Sequence, residues 1–549
     1  MAEGKRKKPL GVLLQDKGLI TDGHIQLALQ DQKVTKQRLG EVLERMGIVS
    51  QYDVATTIAD QEGRPYVDVD TLKPEEDTLR LFNMNLCLAN HFLPLSHDAK
   101  EVRLATATDD VEMLEKLISR NTGLKPIFSQ GEKGKVANAV QYFYYFMDNP
   151  VEKLIEREIQ LLSADTDGVR SMDNFVTNLF QLAVKNRASD LHVRPMDAAI
   201  SIAFRVDGVV RAQFSLPLSF KRLVTTLKMR AGMDIAEQRL PQDGSFSEVI
   251  LNNHYDFRVS STVCPYGENL VMRLLPAKGD FMSMSQLGIL DDDVERLNKI
   301  FNEPFGIVLL TGPTGSGKTT TLYAAVRALN LVEKHVLTVE NPIEYRIPLI
   351  RQTQINIKAG YTFANAIRFF LRHDPDVILV GEIRDKETAE TAISASETGH
   401  LVLSTLHTNT AFGAVPRLRS LGIPPFMLSD SLVGVVSQRL VRRICPSCKE
   451  EYRPSEAELQ YLRDPSIKRL YRGQGCETCH GSGHLGRTLI YEIMQSNREL
   501  ASMIGRDANV DEMVEAAQRT GFKDIFTTAV EKVKRGDTSV AEVIRVLGY

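Results

Sequence analysis

The sequence lacks long apolar runs and any large excess of charge of one sign. None of its apolar runs approaches the roughly 18 residues that a membrane-spanning helix requires. The basic start, residues 1–8, is followed by only a short apolar stretch, Leu10 to Leu14, so no signal peptide is expected. The net charge of −3 argues against a nucleic-acid binder that depends on bulk charge. These absences predict a cytoplasmic protein without a nucleic-acid partner.

What is present is an ordinary globular composition and one glycine-rich loop. Hydrophobic residues make up 43% and charged residues 25% of 549 positions, enough for about three or four domains. The loop fits G-x-x-x-x-G-K-[ST] and stands between an apolar run, 306–311, and a helical pattern, 320–326. Its backbone N–H groups and the helix N-terminus can bind phosphate, Lys318 can reach the β- and γ-phosphates, and Thr319 can ligate Mg²⁺. An ordinary glycine turn is the alternative. The predicted nucleotide contacts are Gly312, Pro313, Thr314, Gly315, Ser316, Gly317, Lys318, Thr319 and Thr320.

Three carboxylates follow apolar runs after this loop. Glu382 ends the run that starts at Asp376, and we expect it to hold Mg²⁺ through its water shell. Glu340 and Glu344 follow a second run, and one of them is a candidate to accept a proton from the attacking water. Solvated strand ends are the alternative for each acid.

Two histidines bracket a third apolar run, and four cysteines form two C-x-x-C pairs. His400 and His407 stand at either end of 401–406 and are candidates to sense a γ-phosphate, with buried structural histidines as the alternative. In a reducing compartment, two C-x-x-C pairs indicate a structural tetrahedral Zn²⁺ site rather than disulfides. Unmetallated loops are the alternative. The predicted metal ligands are Cys445, Cys448, Cys476 and Cys479 for zinc, and Thr319 and Glu382 for magnesium.

The chain divides into segments with different patterns. Residues 9–32 align with 38–61 at an offset of 29, and each copy predicts a short helix, a glycine stop and a second helix capped by Thr21 or Ser50. We expect an N-terminal domain over 1–145, a linker over 146–170 and a small α/β domain over 171–285. Alternating strands and helices then predict an ATPase domain over 286–549, with a zinc-binding insertion at 445–479.

A hairpin in the second domain places two cations together. If its turn is symmetric, Arg258 and Arg273 lie opposite each other. Like charges across a strand pair are unfavourable, so an anion between them would explain the pattern. Two solvated arginines that point apart are the alternative.

These segments together resemble the secretion ATPases of the type II secretion and type IV pilus assembly family. The resemblance rests on the loop at 312–319, the acidic segment 338–345, the segment from Leu371 to Asp385 and the histidine segment 399–410. It extends to two further motifs, 189–195 and 233–244. The resemblance implies a multidomain α/β fold: a mixed helical N-terminal domain, a small α/β second domain, and a RecA-like P-loop ATPase domain with a zinc knuckle.

The resemblance also implies roles and partners. Glu344 is similar to the family's water-activating glutamate and Glu382 to its Walker B glutamate. Arg258 and Arg273 match family arginines that reach the nucleotide from the second domain, and Arg384 matches a family arginine near the Walker B segment. A homohexamer would hydrolyse ATP with Mg²⁺ and drive pilin or pseudopilin assembly at the inner membrane. Its partners would be a membrane platform protein and other assembly proteins. A RecA-like nucleic-acid translocase and a non-hydrolysing scaffold are the alternatives.

The N-terminal repeat resembles a tandem 24-residue motif that binds cyclic di-GMP in some family members. The candidate contacts are Leu10, Gly11, Gln32, Arg38, Leu39, Gly40 and Gln61. The first copy departs from the motif because Pro9 stands where the second copy has Arg38. Asn341 also stands where the family usually has Asp, but Glu340 and Glu344 remain.

Overall fold

The structure, a computed structural model, describes residues 8–108, 110–165, 170–276 and 282–548. It divides into two compact units. The first combines residues 8–63 with 282–548, and the second spans 64–276. The N-terminal segment predicted as a single domain is therefore shared between the two units. Among the described residues, no helix has the length and apolar character needed to cross a bilayer.

The sequence repeat forms two similar helical hairpins. Thr21 and Ser50 accept hydrogen bonds from the backbone N–H groups of His24 and Asp53, which confirms the predicted caps. Apolar side chains of both copies share one small core that includes Leu14 and Leu43. The helices are α1 (Leu10–Asp16), α2 (Asp22–Thr35), α3 (Leu39–Arg45) and α4 (Gln51–Glu62).

The second unit begins with a small mixed domain. Its three strands lie in the order β1-β2-β3, with the first pair antiparallel and the second parallel. Apolar residues from both helices and strands form its core. Its elements are α5 (Glu76–Arg80), α6 (Met84–Ala89), β1 (Phe92–His97), β2 (Glu101–Thr106), α7 (Val111–Thr122), β3 (Lys125–Gln130) and α8 (Lys133–Asp148).

The rest of the second unit is an antiparallel sheet covered by helices. The strand order is β6-β5-β4-β9-β8-β7, and every neighbouring pair is antiparallel. The elements are α9 (Val151–Ser163), α10 (Asp173–Lys185), β4 (Ala188–Pro195), β5 (Ile200–Val206), β6 (Val209–Leu216), α11 (Arg222–Arg230), β7 (Gln242–Ile250), β8 (Asn253–Cys264) and β9 (Gly267–Pro276).

The segment 146–170 differs from its predicted role as a linker. Helix α9 occupies most of it and buries Val151, Ile155 and Leu162 in the same core as α10 and the six-stranded sheet. These apolar residues lie on one face of an otherwise charged helix, so packing that face removes them from water. Residues 166–169 of the segment lie outside the described residues.

The ATPase part of the first unit is a seven-stranded sheet with helices on both faces. Its order is β12-β11-β13-β14-β10-β15-β18, and only β18 is antiparallel to its neighbour. One core lies on each face. Because the other strands run in one direction, their carboxyl ends share an edge, where α/β proteins bind ligands.

The ATPase part of the first unit contains the remaining helices and strands of the chain. They are α12 (Asp291–Phe301), β10 (Gly306–Thr311), α13 (Lys318–Arg327), β11 (Val336–Glu340), β12 (Arg351–Gln354), α14 (Phe363–Phe370), β13 (Val377–Val380), α15 (Lys386–Glu397), β14 (Leu401–Leu406), α16 (Ala414–Ser420), α17 (Pro425–Ser431), β15 (Leu432–Ile444), β16 (Lys449–Tyr452), α18 (Glu456–Tyr461), β17 (Leu470–Gly473), β18 (His484–Gln495), α19 (Arg498–Gly505), α20 (Val510–Arg519), α21 (Ile525–Arg535) and α22 (Val540–Leu547). Short 3₁₀ turns span Val69–Thr71, Leu218–Lys221, Ile357–Ala359, Pro446–Cys448 and Glu477–Cys479.

Candidate functional site

The glycine loop joins the buried strand β10 to α13 at the carboxyl edge of the sheet. Gly312 has a φ of +141°, and a Cβ built there would lie 2.5 Å from the carbonyl oxygen of Gln438. Both the positive φ and this close approach require glycine. Pro313, Thr314, Gly315 and Thr319 are exposed, Gly317, Lys318 and Thr320 are partly buried, and Ser316 is buried. The loop thus has the conformation and exposure that phosphate binding needs.

Lys318 lies over this loop. Its Nζ donates to the carbonyl oxygens of Gly312 at 2.9 Å and Pro313 at 3.2 Å. Burial lowers the pKa of Lys318, and the carboxylate of Glu382 opposes that shift. The side-chain amide of Gln438, on β15, donates to the Ser316 carbonyl oxygen at 2.8 Å and so supports the loop.

Glu382, Arg384 and His407 meet where neighbouring strands end. Glu382 Oε2 lies 2.7 Å from Arg384 Nε and 3.7 Å from His407 Nε2. Burial and the nearby Lys318 ammonium lower the pKa of His407, which favours the neutral form of its ring. The parallel order β13-β14-β10 explains the cluster, because these strands end beside one another. Four of the predicted site residues are therefore neighbours: Lys318, Glu382, Arg384 and His407.

Glu340 and Glu344 have different environments. Glu340 is 3% exposed, and its carboxylate accepts hydrogen bonds from Tyr323, from Thr338 Oγ1 at 2.6 Å and from Gln352 Nε2 at 3.1 Å. Glu344 is exposed on the loop that follows β11. A buried carboxylate with three donors is suited to hold structure, whereas Glu344 remains accessible to a water molecule.

His400, which is predicted to sense a γ-phosphate, does not lie at this site within the chain. It precedes β14, its backbone carbonyl accepts from Gly306 N at 3.1 Å, and Gly306 pairs with Leu401. His400 thus lies at the amino end of the strands, about 17 Å along β10 from the glycine loop. His400 Nδ1 instead lies 3.0 Å from the Ala395 carbonyl oxygen and holds the end of α15.

The two hairpin arginines lie directly opposite each other, as predicted. Arg258 pairs with Arg273 in the register of β8 and β9. Arg273 Nε donates to Asp190 Oδ1 at 3.0 Å, and Arg205 Nε lies 3.5 Å from Asp190 Oδ2. Asp190, which is 5% exposed, therefore supplies an anion on the neighbouring strand. The prediction that these arginines serve the nucleotide stays a prediction.

The four cysteines converge although 27 residues separate the two pairs. Their sulfur atoms lie within 4.8 Å of one another, and three Sγ–Sγ distances are 3.7, 3.8 and 3.9 Å. A disulfide needs about 2.05 Å. A tetrahedron with Zn–S bonds of about 2.3 Å has edges of about 3.8 Å. The cluster therefore fits a tetrahedral metal ion of this size.

The candidate cyclic di-GMP residues make equivalent contacts in the two copies of the repeat. Gln32 Nε2 donates to the Gln37 carbonyl oxygen at 2.8 Å, and Gln61 Nε2 donates to the Lys8 carbonyl oxygen at 2.7 Å. A Cβ built on Gly11 would lie 3.1 Å from Leu39, and one built on Gly40 would lie 3.2 Å from Leu10. Arg38 is exposed beside this pair.

Several residues of the site have no local signal in the sequence. Gln438 reaches the glycine loop from a strand more than 100 residues later, and Tyr323 reaches Glu340 from within helix α13. A glutamine or tyrosine within an apolar segment is typical of a core. The polar partner appears only when the fold is known.

A loop of this geometry at the carboxyl edge of a parallel sheet, with a carboxylate beside its lysine, defines a P-loop ATPase. A family model described as "Type II/IV secretion system protein" matches residues 165–545, and an "MshEN domain" model matches 62–149. The chain belongs to the type II/IV secretion system protein family, and it is an ATP-hydrolysing member of it.

Curated relatives agree with this assignment, and one solved structure shares the fold. Type II secretion system protein E of Pseudomonas aeruginosa is 46% identical over 367 residues, which cover 66% of this chain and 73% of that protein. The type IV pilus assembly ATPase PilB of Myxococcus xanthus is 34% identical over 566 residues, covering 97% and 98%. The ATPase DotB of Legionella pneumophila shares the fold, with a TM-score of 0.53, 20% identity and coverage of 69% and 96%.

Proposed function

We propose that this chain is a hexameric motor that converts ATP hydrolysis into the assembly of pilins or pseudopilins. It would act at the inner face of the cytoplasmic membrane, together with a membrane platform protein and further assembly proteins. The observation that carries the proposal is the cluster of Lys318, Glu382, Arg384 and His407 around the glycine loop. Full-length similarity to a pilus assembly ATPase supports it.

The proposed mechanism assigns one task to each side chain. Lys318 and the loop N–H groups would hold the phosphates, and Thr319 and Glu382 would hold Mg²⁺, which would neutralise charge on the phosphate oxygens. Glu344 would accept the proton of the attacking water, because it is exposed whereas Glu340 is buried. His407 would contact the γ-phosphate, and Arg384, Arg258 and Arg273 would supply positive charge that stabilises the transition state.

The proposal is tested by ATP turnover of the Glu382→Gln variant. Because the glutamine side chain keeps the shape of the glutamate but loses the charge opposite Mg²⁺, we expect kcat to fall at least about tenfold. Glu387→Gln is the matched control, since Glu387 is an exposed glutamate of α15 whose partner is Arg368. Near-zero turnover in the native chain and in both variants would favour a scaffold without hydrolysis.

We also propose that the N-terminal helices bind cyclic di-GMP. The paired glutamines and the paired glycine–leucine contacts have the two-fold arrangement that suits a ligand with two like halves. Arg38 would stack on one guanine, and Pro9 leaves the other without an equivalent cation.

Calorimetric titration of the full chain with cyclic di-GMP tests this second proposal. We expect binding that weakens about tenfold in Arg38→Ala, because one cation–π contact is lost. Lys33→Ala removes the same charge from a position outside the candidate contacts and should bind as the native chain does. No heat with native protein at tens of micromolar ligand would remove the proposal.

A further inference from the structure

One turn of the N-terminal helices rests directly on the ATPase fold. The turn between α3 and α4 contains Gly47, whose carbonyl oxygen accepts a hydrogen bond from Arg327 Nε at 3.0 Å. Arg327 is the last residue of α13, the helix that begins at the glycine loop. Asp53, in the first turn of α4, attracts the same guanidinium group. The contact therefore ties the second repeat to the far end of the P-loop helix.

The same turn also touches the loop that carries Glu344. A Cβ built on Gly47 would lie 3.2 Å from Pro348 Cδ, so the glycine backbone packs on the proline ring. Pro348 is four residues after Glu344 and belongs to the irregular segment between β11 and β12. The turn is thus in contact with both Arg327 and the segment of the proposed base.

The other side of that segment is held by the buried polar group around Glu340. The Tyr345 ring packs edge-on against Tyr323, with centroids 4.6 Å apart. Gln352 Nε2 donates to the Tyr345 carbonyl oxygen at 3.2 Å, and Gln352 Oε1 accepts from Ile347 N at 2.7 Å. The segment therefore lies between this polar group and the Gly47 turn.

We propose that Arg327 is a positioning residue for ATP hydrolysis, which seats the Gly47 turn on Pro348 and so fixes the Glu344 loop. The N-terminal helices would then set the catalytic rate without touching the nucleotide. This inference rests on the proposed role of Glu344. Displacing a reacting group by part of an ångström lowers the rate steeply, while phosphate binding by Lys318 is unaffected.

The sequence repeat offers a matched pair of variants. Gly18 and Gly47 are equivalent positions of the two copies, with φ values of +70° and +72°, so alanine meets the same backbone strain at both. A Cβ on Gly18 has nothing within 4 Å, whereas one on Gly47 presses on Pro348. In the full chain, we expect Gly47→Ala to lower kcat for ATP about fivefold with KM within about twofold, and Gly18→Ala to keep native kinetics.

Arg327→Ala and a double variant complete the test. We expect Arg327→Ala to lower kcat about tenfold, and Arg327→Ala/Gly47→Ala to be no slower than Arg327→Ala, because both act through one contact. Arg296→Ala is the control for loss of a partly buried arginine elsewhere in the same unit, where Arg296 Nε donates to Gln495. Equal kcat in the two glycine variants would overturn the inference, as would multiplied losses in the double variant.

Failure of this inference is distinguishable from failure of the proposed base. If Glu344→Gln is inactive while Gly47→Ala matches Gly18→Ala, only the positioning role is lost. If Glu344→Gln keeps native turnover, the base assignment itself is wrong.

Discussion

Glu344→Gln is expected to lower kcat for ATP about 10²- to 10⁴-fold, the range that general base catalysis contributes. The change removes the proposed proton acceptor and keeps the size of the side chain. Because Glu344 is exposed on its loop, the fold should tolerate glutamine, and the midpoint of thermal unfolding should stay near the native value. Nucleotide affinity should also remain, since Lys318 and the glycine loop are unchanged.

Glu340→Gln is the matched comparison, four residues earlier in the same acidic segment. The Glu340 carboxylate accepts hydrogen bonds from Tyr323, Thr338 and Gln352. A glutamine at this position would turn an N–H group toward side chains that now donate, so hydrogen bonds would be lost. We expect a loss of about 1–3 kcal/mol in the free energy of unfolding. We expect a smaller loss of kcat than in Glu344→Gln.

Steady-state kinetics and thermal unfolding of both variants separate the two roles. We expect the larger loss of kcat in Glu344→Gln and the larger loss of unfolding free energy in Glu340→Gln. A Glu340→Gln enzyme that is inactive but stable, beside an active Glu344→Gln enzyme, would reverse the assignment.

The parts of the site that short spacings define could be predicted from the sequence. The glycine loop and the two C-x-x-C pairs each carry their chemistry within a few residues, so their positions in the fold match the prediction. The amphipathic α9 was equally visible, because Val151, Ile155 and Leu162 recur at helical spacing. The segment that contains this helix is predicted as a linker, but the apolar face of the helix decides where it packs.

Contacts between distant segments could not be predicted in this way. Choosing between Glu340 and Glu344 depends on donors that α13 and β12 bring to one carboxylate. The two histidines are a different case. Because β14 separates His400 from His407 by its full length, only one of them can lie at the phosphate edge of a parallel sheet. The direction of β14 therefore distinguishes the two histidines, whereas residue type alone does not.

Removal of metal from the cysteine cluster is expected to destabilise the ATPase unit by about 5 kcal/mol. This is part of the free energy of about 10–16 kcal/mol with which structural sites typically bind Zn²⁺. The cluster lies between β15 and β18, which form one edge of the seven-stranded sheet. Among the described residues, Leu485 is the apolar side chain that joins the cysteines in this small cluster, and backbone hydrogen bonds such as that from Gln474 N to the Cys448 carbonyl oxygen at 3.1 Å link the two loops. We expect a bound metal to add to these few contacts. Chelation should therefore loosen β16, β17 and the connection between the two long strands.

Metal analysis and thermal unfolding of the full chain test this prediction. We expect one Zn²⁺ per chain and a fall of about 10 °C in the unfolding midpoint after chelation, reversed by added Zn²⁺. Cys479→Ser should lose the metal and unfold at the lower temperature, because a hydroxyl is a poor substitute for a thiolate ligand. Cys264→Ser is the control, since this cysteine lies in β8, outside the cluster. The contrary result is native protein that is purified without metal, with an unfolding midpoint that equals that of Cys479→Ser and does not change with chelator. That result would show that the two loops hold each other without an ion.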